Sequence, residues 1–93
     1  MFFIYILFSE KLNRFYIGTT DDVEKRLLEH NLALYSDSFT SKGIPWELKL
    51  SYTCNSSKQA YELERFIKKM KSRKFIERLI EDESIIIDVA NKL

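Results

Sequence analysis

Phe2-Phe3-Ile4-Tyr5-Ile6-Leu7-Phe8 is followed by Ser9-Glu10-Lys11-Leu12 and then by Asn13-Arg14-Phe15-Tyr16-Ile17-Gly18. The first run is unbroken, apolar and rich in aromatic and β-branched residues, which is the pattern of a strand covered on both faces and placed centrally in a sheet. The polar break and the second run complete an antiparallel hairpin. With a symmetric four-residue loop, residue 8 pairs with residue 13 and Tyr5 stands directly across from Tyr16. A five-residue loop makes them diagonal neighbours instead. On the symmetric register the two phenols share one face of the sheet.

Beyond the hairpin, Gly18 ends the strand and Thr19 to Asp22 open a helix. Thr20 or Asp21 can cap it, and Asp21 with Glu24 fits a capping box. The helix is expected to run to about Asn31, with Val23, Leu27 and the neighbourhood of Leu34 as its core stripe. Arg26 and His30 lie one above the other beside that stripe, since four residues is close to one turn. The segment from Leu32 to Gly43 is polar and irregular, with Ser36, Asp37, Ser38, Thr40 and Ser41, and reads as a surface loop.

Pro45 cannot sit inside a ladder, so a third, half-exposed strand should begin near Trp46 and continue through Tyr52. Asn55-Ser56-Ser57 then caps a helix with Ala60, Leu63, Ile67 and Met70 at helical spacing. Ser72 interrupts before a further helical pattern with Phe75, Ile76, Leu79 and Ile80. The tail from Ser84 to Leu93 carries Ile85, Ile86, Ile87 and Val89 and fits either strand or helix. The elements together describe an α+β domain with helices packed on a small, mostly antiparallel sheet.

Length and composition agree. Ninety-three residues suit a single domain, residues 1–93, with one core. The chain is 45% hydrophobic and 31% charged, with two glycines and one proline, which is ordinary for a folded, soluble protein. Cys54 is the lone cysteine, which leaves no intrachain disulfide and no cysteine-based zinc site and makes a reducing cytoplasm the expected setting. The apolar start lacks a basic flank and meets Ser9, Glu10 and Lys11 too soon for a signal peptide or a membrane span.

A net charge of +1 conceals an uneven distribution. Residues 58–78 hold eight basic side chains against three acidic ones, while residues 79–93 hold four acidic against one basic. The basic band includes Lys68, Lys69, Lys71, Arg73 and Lys74. On charge alone it reads as a solvated lysine-rich face, but it is also what a phosphate backbone would seek out.

Tyr5, Tyr16-Ile17-Gly18, Arg26 and His30, with Glu64 on a later helix among Ala60, Ile67 and Lys71, resemble the GIY-YIG nuclease superfamily. The small single-domain bacterial members are the most similar, and these look like the N-terminal nuclease domain of an excinuclease. The resemblance extends from Phe3 to Lys74 and includes the segment from Thr40 to Pro45-Trp46. It implies a three-stranded antiparallel sheet flanked by helices and a metal-dependent phosphodiesterase site. Tyr5 matches the tyrosine of the first family motif, Tyr16 and Gly18 match the second, Arg26 and His30 match the family's arginine and common histidine, and Glu64 matches its metal-binding carboxylate. Phe3 stands where the first motif has glycine. Some relatives use a further histidine, and His30 is the single histidine of this chain.

The implied chemistry makes physical sense. Phosphodiester hydrolysis needs an activated water or hydroxyl, compensation of charge at the phosphoryl oxygens and a stabilised leaving oxygen. Glu64 would hold Mg²⁺ or Mn²⁺, a cation that keeps several waters and needs few carboxylates. The permanently charged Arg26 suits the phosphoryl oxygens. A phenol ordinarily titrates near ~10, so Tyr5 or Tyr16 would act as a base beside a cation or through a hydrogen-bonded water.

Every one of these residues also has a plain structural use. The tyrosines fit a sheet rim, Arg26 and His30 a helix edge, and Glu64 an ion pair with Lys68 four residues on. Their joint occurrence points to a DNA endonuclease, with branched or single-stranded DNA as substrate and DNA repair as the setting. No membrane and no dedicated protein partner is indicated. Two rivals come from other classes: a catalytically inactive nucleic-acid-binding module, and an interaction domain that dimerises through its apolar tail.

Overall fold

The computed structural model describes residues 1–32 and 41–93. Two expectations, Leu34 in the first helix stripe and a surface loop bearing Ser36, Asp37, Ser38 and Thr40, lie outside these residues. The chain runs β1 (Phe2–Ser9), β2 (Arg14–Thr20), α1 (Val23–Asn31), β3 (Trp46–Cys54), α2 (Ser57–Met70), α3 (Arg73–Glu81) and α4 (Glu83–Lys92). The strands form one antiparallel sheet in the order β2-β1-β3. This is the expected α+β architecture, a three-stranded antiparallel sheet flanked by helices, with β1 at its centre.

Central placement explains the unbroken apolar run. Ile4, Tyr5, Ile6 and Leu7 are all at most 2% exposed, so successive side chains, which point to opposite faces, are covered on both. One face carries Ile4, Ile6 and Ile17 under Ala60, Leu63 and Ile67 of α2, Leu79 of α3, and Ile86 and Ala90 of α4. The other carries Tyr5, Leu7 and Trp46, with Tyr16 and with Val23 and Leu27 of α1. Each fully buried leucine or isoleucine stabilises this arrangement by about 1.5–3 kcal/mol.

The hairpin register differs from the symmetric one. Ser9 pairs with Arg14, Leu7 with Tyr16 and Tyr5 with Gly18. The turn is therefore Glu10 to Asn13, displaced by one residue. Its cause is local: Ser9 is fully buried and its Oγ accepts a 3.1 Å hydrogen bond from the Leu12 amide, while Asn13 takes a left-handed conformation at φ 54°, which asparagine tolerates. The sheet faces are unchanged by this shift, so Tyr5 and Tyr16 remain on one face as diagonal neighbours.

Helix ends follow side-chain capping. The N-cap of α1 is Asp22 rather than Thr20 or Asp21, its carboxylate accepting from the Lys25 amide at 3.1 Å. Thr20 instead braces the approach, its Oγ1 accepting from the Asp22 amide. Ser56 and Ser72 cap α2 and α3. Met70, expected in the α2 core stripe, is 46% exposed, because Lys71 adopts a left-handed cap and the helix ends there. The tail is helical, capped by Asp82, whose hydrogen bonds from Ser84 hold its carboxyl below the ordinary range. Its Ile86 and Ala90 turn inward onto the core. Among the described residues no helix is long and apolar enough to cross a membrane.

Candidate functional site

Register and packing bring four of the candidate residues together. Gly18 pairs with Tyr5 across β1 and β2, and a Cβ built on Gly18 would stand 2.5 Å from Tyr5 Oη and 2.7 Å from Cζ. Gly18 is therefore a mid-strand residue whose missing side chain makes room for the phenol, rather than merely a strand end. Lying over that backbone, Tyr5 is 2% exposed and its Oη shares a buried 3.3 Å hydrogen bond with Nε2 of His30. The imidazole tautomer sets the direction of that bond.

His30 is the buried residue of α1, at 3% exposure, deeper than Val23 and Leu27. It sits edge-on to Tyr16 with ring centroids 4.7 Å apart, and the rings of Tyr5 and Tyr16 stack at 6.3 Å. Trp46 closes the group from β3, 6.1 Å from Tyr16 and 6.5 Å from His30. Trp46 is 3% exposed, so it is a core wall, as its plain reading has it. Tyr16 alone among these four aromatic rings is half-buried, and it lies on the edge strand β2.

An unforeseen residue holds this group in register. Asn31, at the end of α1, donates from Nδ2 to the Trp46 carbonyl at 3.0 Å and accepts at Oδ1 from the Trp46 amide at 2.6 Å. Its side-chain amide thus mimics a strand partner and ties the helix bearing His30 to the start of β3. In the sequence it is one asparagine at a helix end, a position that by itself signals only a cap.

Arg26 stands one turn before His30 on α1, half-exposed, in a shallow depression with Thr20, Asp22 and Glu29. Glu64 belongs to a different layer, on α2, whose buried side packs against the opposite face of the sheet. Its side chain is 21% exposed and its Oε2 receives Lys68 Nζ at 2.6 Å. Lys69 and Lys74 are exposed. Arg73 is engaged at the hairpin turn, donating to the carbonyl and side-chain oxygens of Asn13 at 2.8 and 2.7 Å and lying over the rings of Phe8 and Phe15. Burial pushes the Cys54 thiol up, which keeps it protonated and makes it a packing residue rather than a nucleophile.

Among the described residues no three His, Cys, Asp or Glu side chains gather as a metal cage. The donor set fits a different kind of metal site. Glu64 is a partly covered carboxylate that already draws a cation, the Lys68 ammonium, to its oxygen. A hard cation that keeps most of its water needs little more from the protein.

Comparison with known proteins adds one finding. The model of the GIY-YIG catalytic domain matches residues 1–77. Neither a curated protein nor a solved structure matches the chain.

Proposed function

The chain belongs to the GIY-YIG catalytic domain family, and on that premise we propose that it is a metal-dependent DNA endonuclease that hydrolyses phosphodiester bonds, with residues 1–93 acting as one nuclease domain. The observation that carries the reading is the single sheet face on which Tyr5, Gly18, Tyr16 and His30 meet, with Arg26 one turn from His30. A structural role for two tyrosines would not require a glycine hollow and a buried phenol–imidazole bond beneath a more accessible phenol.

The exposures divide the work between the phenols. Tyr16, half-buried on the edge strand, is the group that reaches a water and orients or deprotonates it as nucleophile. Tyr5 is too deep for that task and acts through His30, fixing the imidazole against which the Tyr16 ring rests. Arg26 binds the phosphoryl oxygens and stabilises the charge that develops on them. Glu64 is the residue that would hold Mg²⁺ or Mn²⁺, which supplies Lewis-acid stabilisation of phosphoryl and leaving-group oxygens. Lys68 leaves the Glu64 carboxylate for a DNA phosphate in the same event, and Lys69, Lys71, Arg73 and Lys74 extend the positive surface along the backbone.

The substrate we propose is branched or single-stranded DNA, since backbone contacts of this kind carry no sequence information. The finer likeness to the N-terminal nuclease domain of an excinuclease makes DNA repair in the cytoplasm the proposed setting. The test is nicking of plasmid, single-stranded and branched DNA with Mg²⁺ or Mn²⁺ and with chelator, using wild type and Arg26→Ala. Metal-dependent nicking that Arg26→Ala slows by ~10²–10³-fold is expected. Chelator-resistant cutting would remove the metal assignment. Binding without cutting of any substrate would replace the enzyme by the inactive binding module.

A further inference from the structure

The largest cleft described, roughly 570 Å³, lies away from the tyrosine face, between the edge strand β2 and the junction of α2 with α3. Its floor is apolar, formed by Ile17 and Ile67, which are 7% and 1% exposed. Its rim carries four cations, Arg14, Lys68, Lys71 and Arg73. They are not equivalent. Lys68 is neutralised by Glu64 at 2.6 Å, and Arg73 is bound to Asn13 and stands 3.6 Å from the Glu77 carboxylate. Arg14 and Lys71 are exposed, and among the described residues neither side chain has an ion-pair or hydrogen-bond partner.

Two uncompensated cations thus border one cleft, one from the first residue of β2 and one from the left-handed cap that ends α2. The cap also fixes where the Lys71 side chain departs, and the positive end of α3 begins at Ser72 beside it. Above a low-dielectric floor, such charges attract an anion more strongly than they would on an open surface. Arg73 shapes the cleft without being available to its occupant, because it clamps the hairpin turn to α3.

We propose that this cleft is a second phosphodiester subsite of the nuclease, in which Arg14 and Lys71 grip the backbone of the same DNA strand at a position remote from the cleaved bond. The inference rests on the nuclease reading above and adds Arg14, which lies outside the basic band of residues 58–78, to the DNA surface. It also distinguishes Lys71 from Lys68 and Arg73, whose charges have partners. The cleft's position on β2, the strand that carries Tyr16, connects it to the proposed chemistry through one rigid element.

Fluorescence anisotropy with a labelled single-stranded oligonucleotide, in chelator so that nothing is cut, tests the subsite. The variants are Arg14→Gln, Lys71→Asn and the double substitution, with Arg14→Lys as charge-retaining rescue and Lys92→Gln as a remote control. Asparagine is chosen at residue 71 because it tolerates the left-handed backbone. Each neutralisation should reduce the slope of log affinity against log salt by about 0.7, the double variant should bind at least ~10-fold more weakly at low salt, and Arg14→Lys should restore the slope. Plasmid nicking by wild type, run in parallel, separates the two claims. Wild type that cuts while the double variant keeps an unchanged affinity and slope overturns the subsite and leaves the nuclease standing. Wild type that neither binds nor cuts overturns both.

Discussion

Gly18 lacks a side chain where the Tyr5 phenol occupies the space one would fill. Its backbone is not in a positive-φ conformation, so the requirement is room rather than conformational freedom. Gly18→Ala is expected to push against a ring that is itself 2% exposed, destabilising the protein by about 1–3 kcal/mol as overpacking does. Urea unfolding measures this, and a midpoint equal to wild type would show that the ring gives way freely. The loss should extend to nicking, because a displaced Tyr5 no longer meets His30. At this scale the sequence displayed the identities of Tyr5, Tyr16, Gly18 and His30 but not the reason for the glycine. That reason depends on a register fixed by Ser9 and Asn13, both of which look like ordinary turn residues.

Elements meet here through backbone-directed side chains. Asn31 joins α1 to β3 by two hydrogen bonds to Trp46, and the helix so held is the one that buries His30. Asn31→Ala leaves an amide and a carbonyl of a 3%-exposed residue without their partner, a loss of about 1–3 kcal/mol. Asn31→Asp keeps the acceptor alone and should lose less. Thermal unfolding of the two variants ranks them, and equal stability of Asn31→Ala and wild type would refute the clamp. Strand and helix order was legible because periodicity and capping residues are local signals. The α1 cap was displaced by one residue because Asp22, not Asp21, meets the Lys25 amide. The Asn31 clamp spans fifteen residues, and no local pattern announces it. The tail showed apolar residues without a decisive period, and packing of Ile86 and Ala90 on the core selects the helix.

For the whole molecule, the arrangement separates the proposed groups into two layers. The aromatic group and Arg26 belong with α1 on one face of the sheet, and Glu64 belongs to α2, which packs on the other. The edge strand β2 is common to both, presenting Tyr16 to one layer and Ile17 to the other. The ordered motif made the family legible, since tyrosines, glycine, arginine and glutamate recur at matching separations. Distances between layers are not a property of spacing, and the Glu64–Lys68 pair shows how a metal-ligand candidate and a surface ion pair share one sequence pattern. The central claim, that the half-buried Tyr16 on this face activates the nucleophile, is tested most directly by single-turnover cleavage of a short DNA by Tyr16→Phe, with bound fraction measured in chelator. The account predicts unchanged binding and a cleavage rate reduced by ~10²–10⁴-fold. Tyr16→Phe that cuts at the wild-type rate while binding equally well would contradict it.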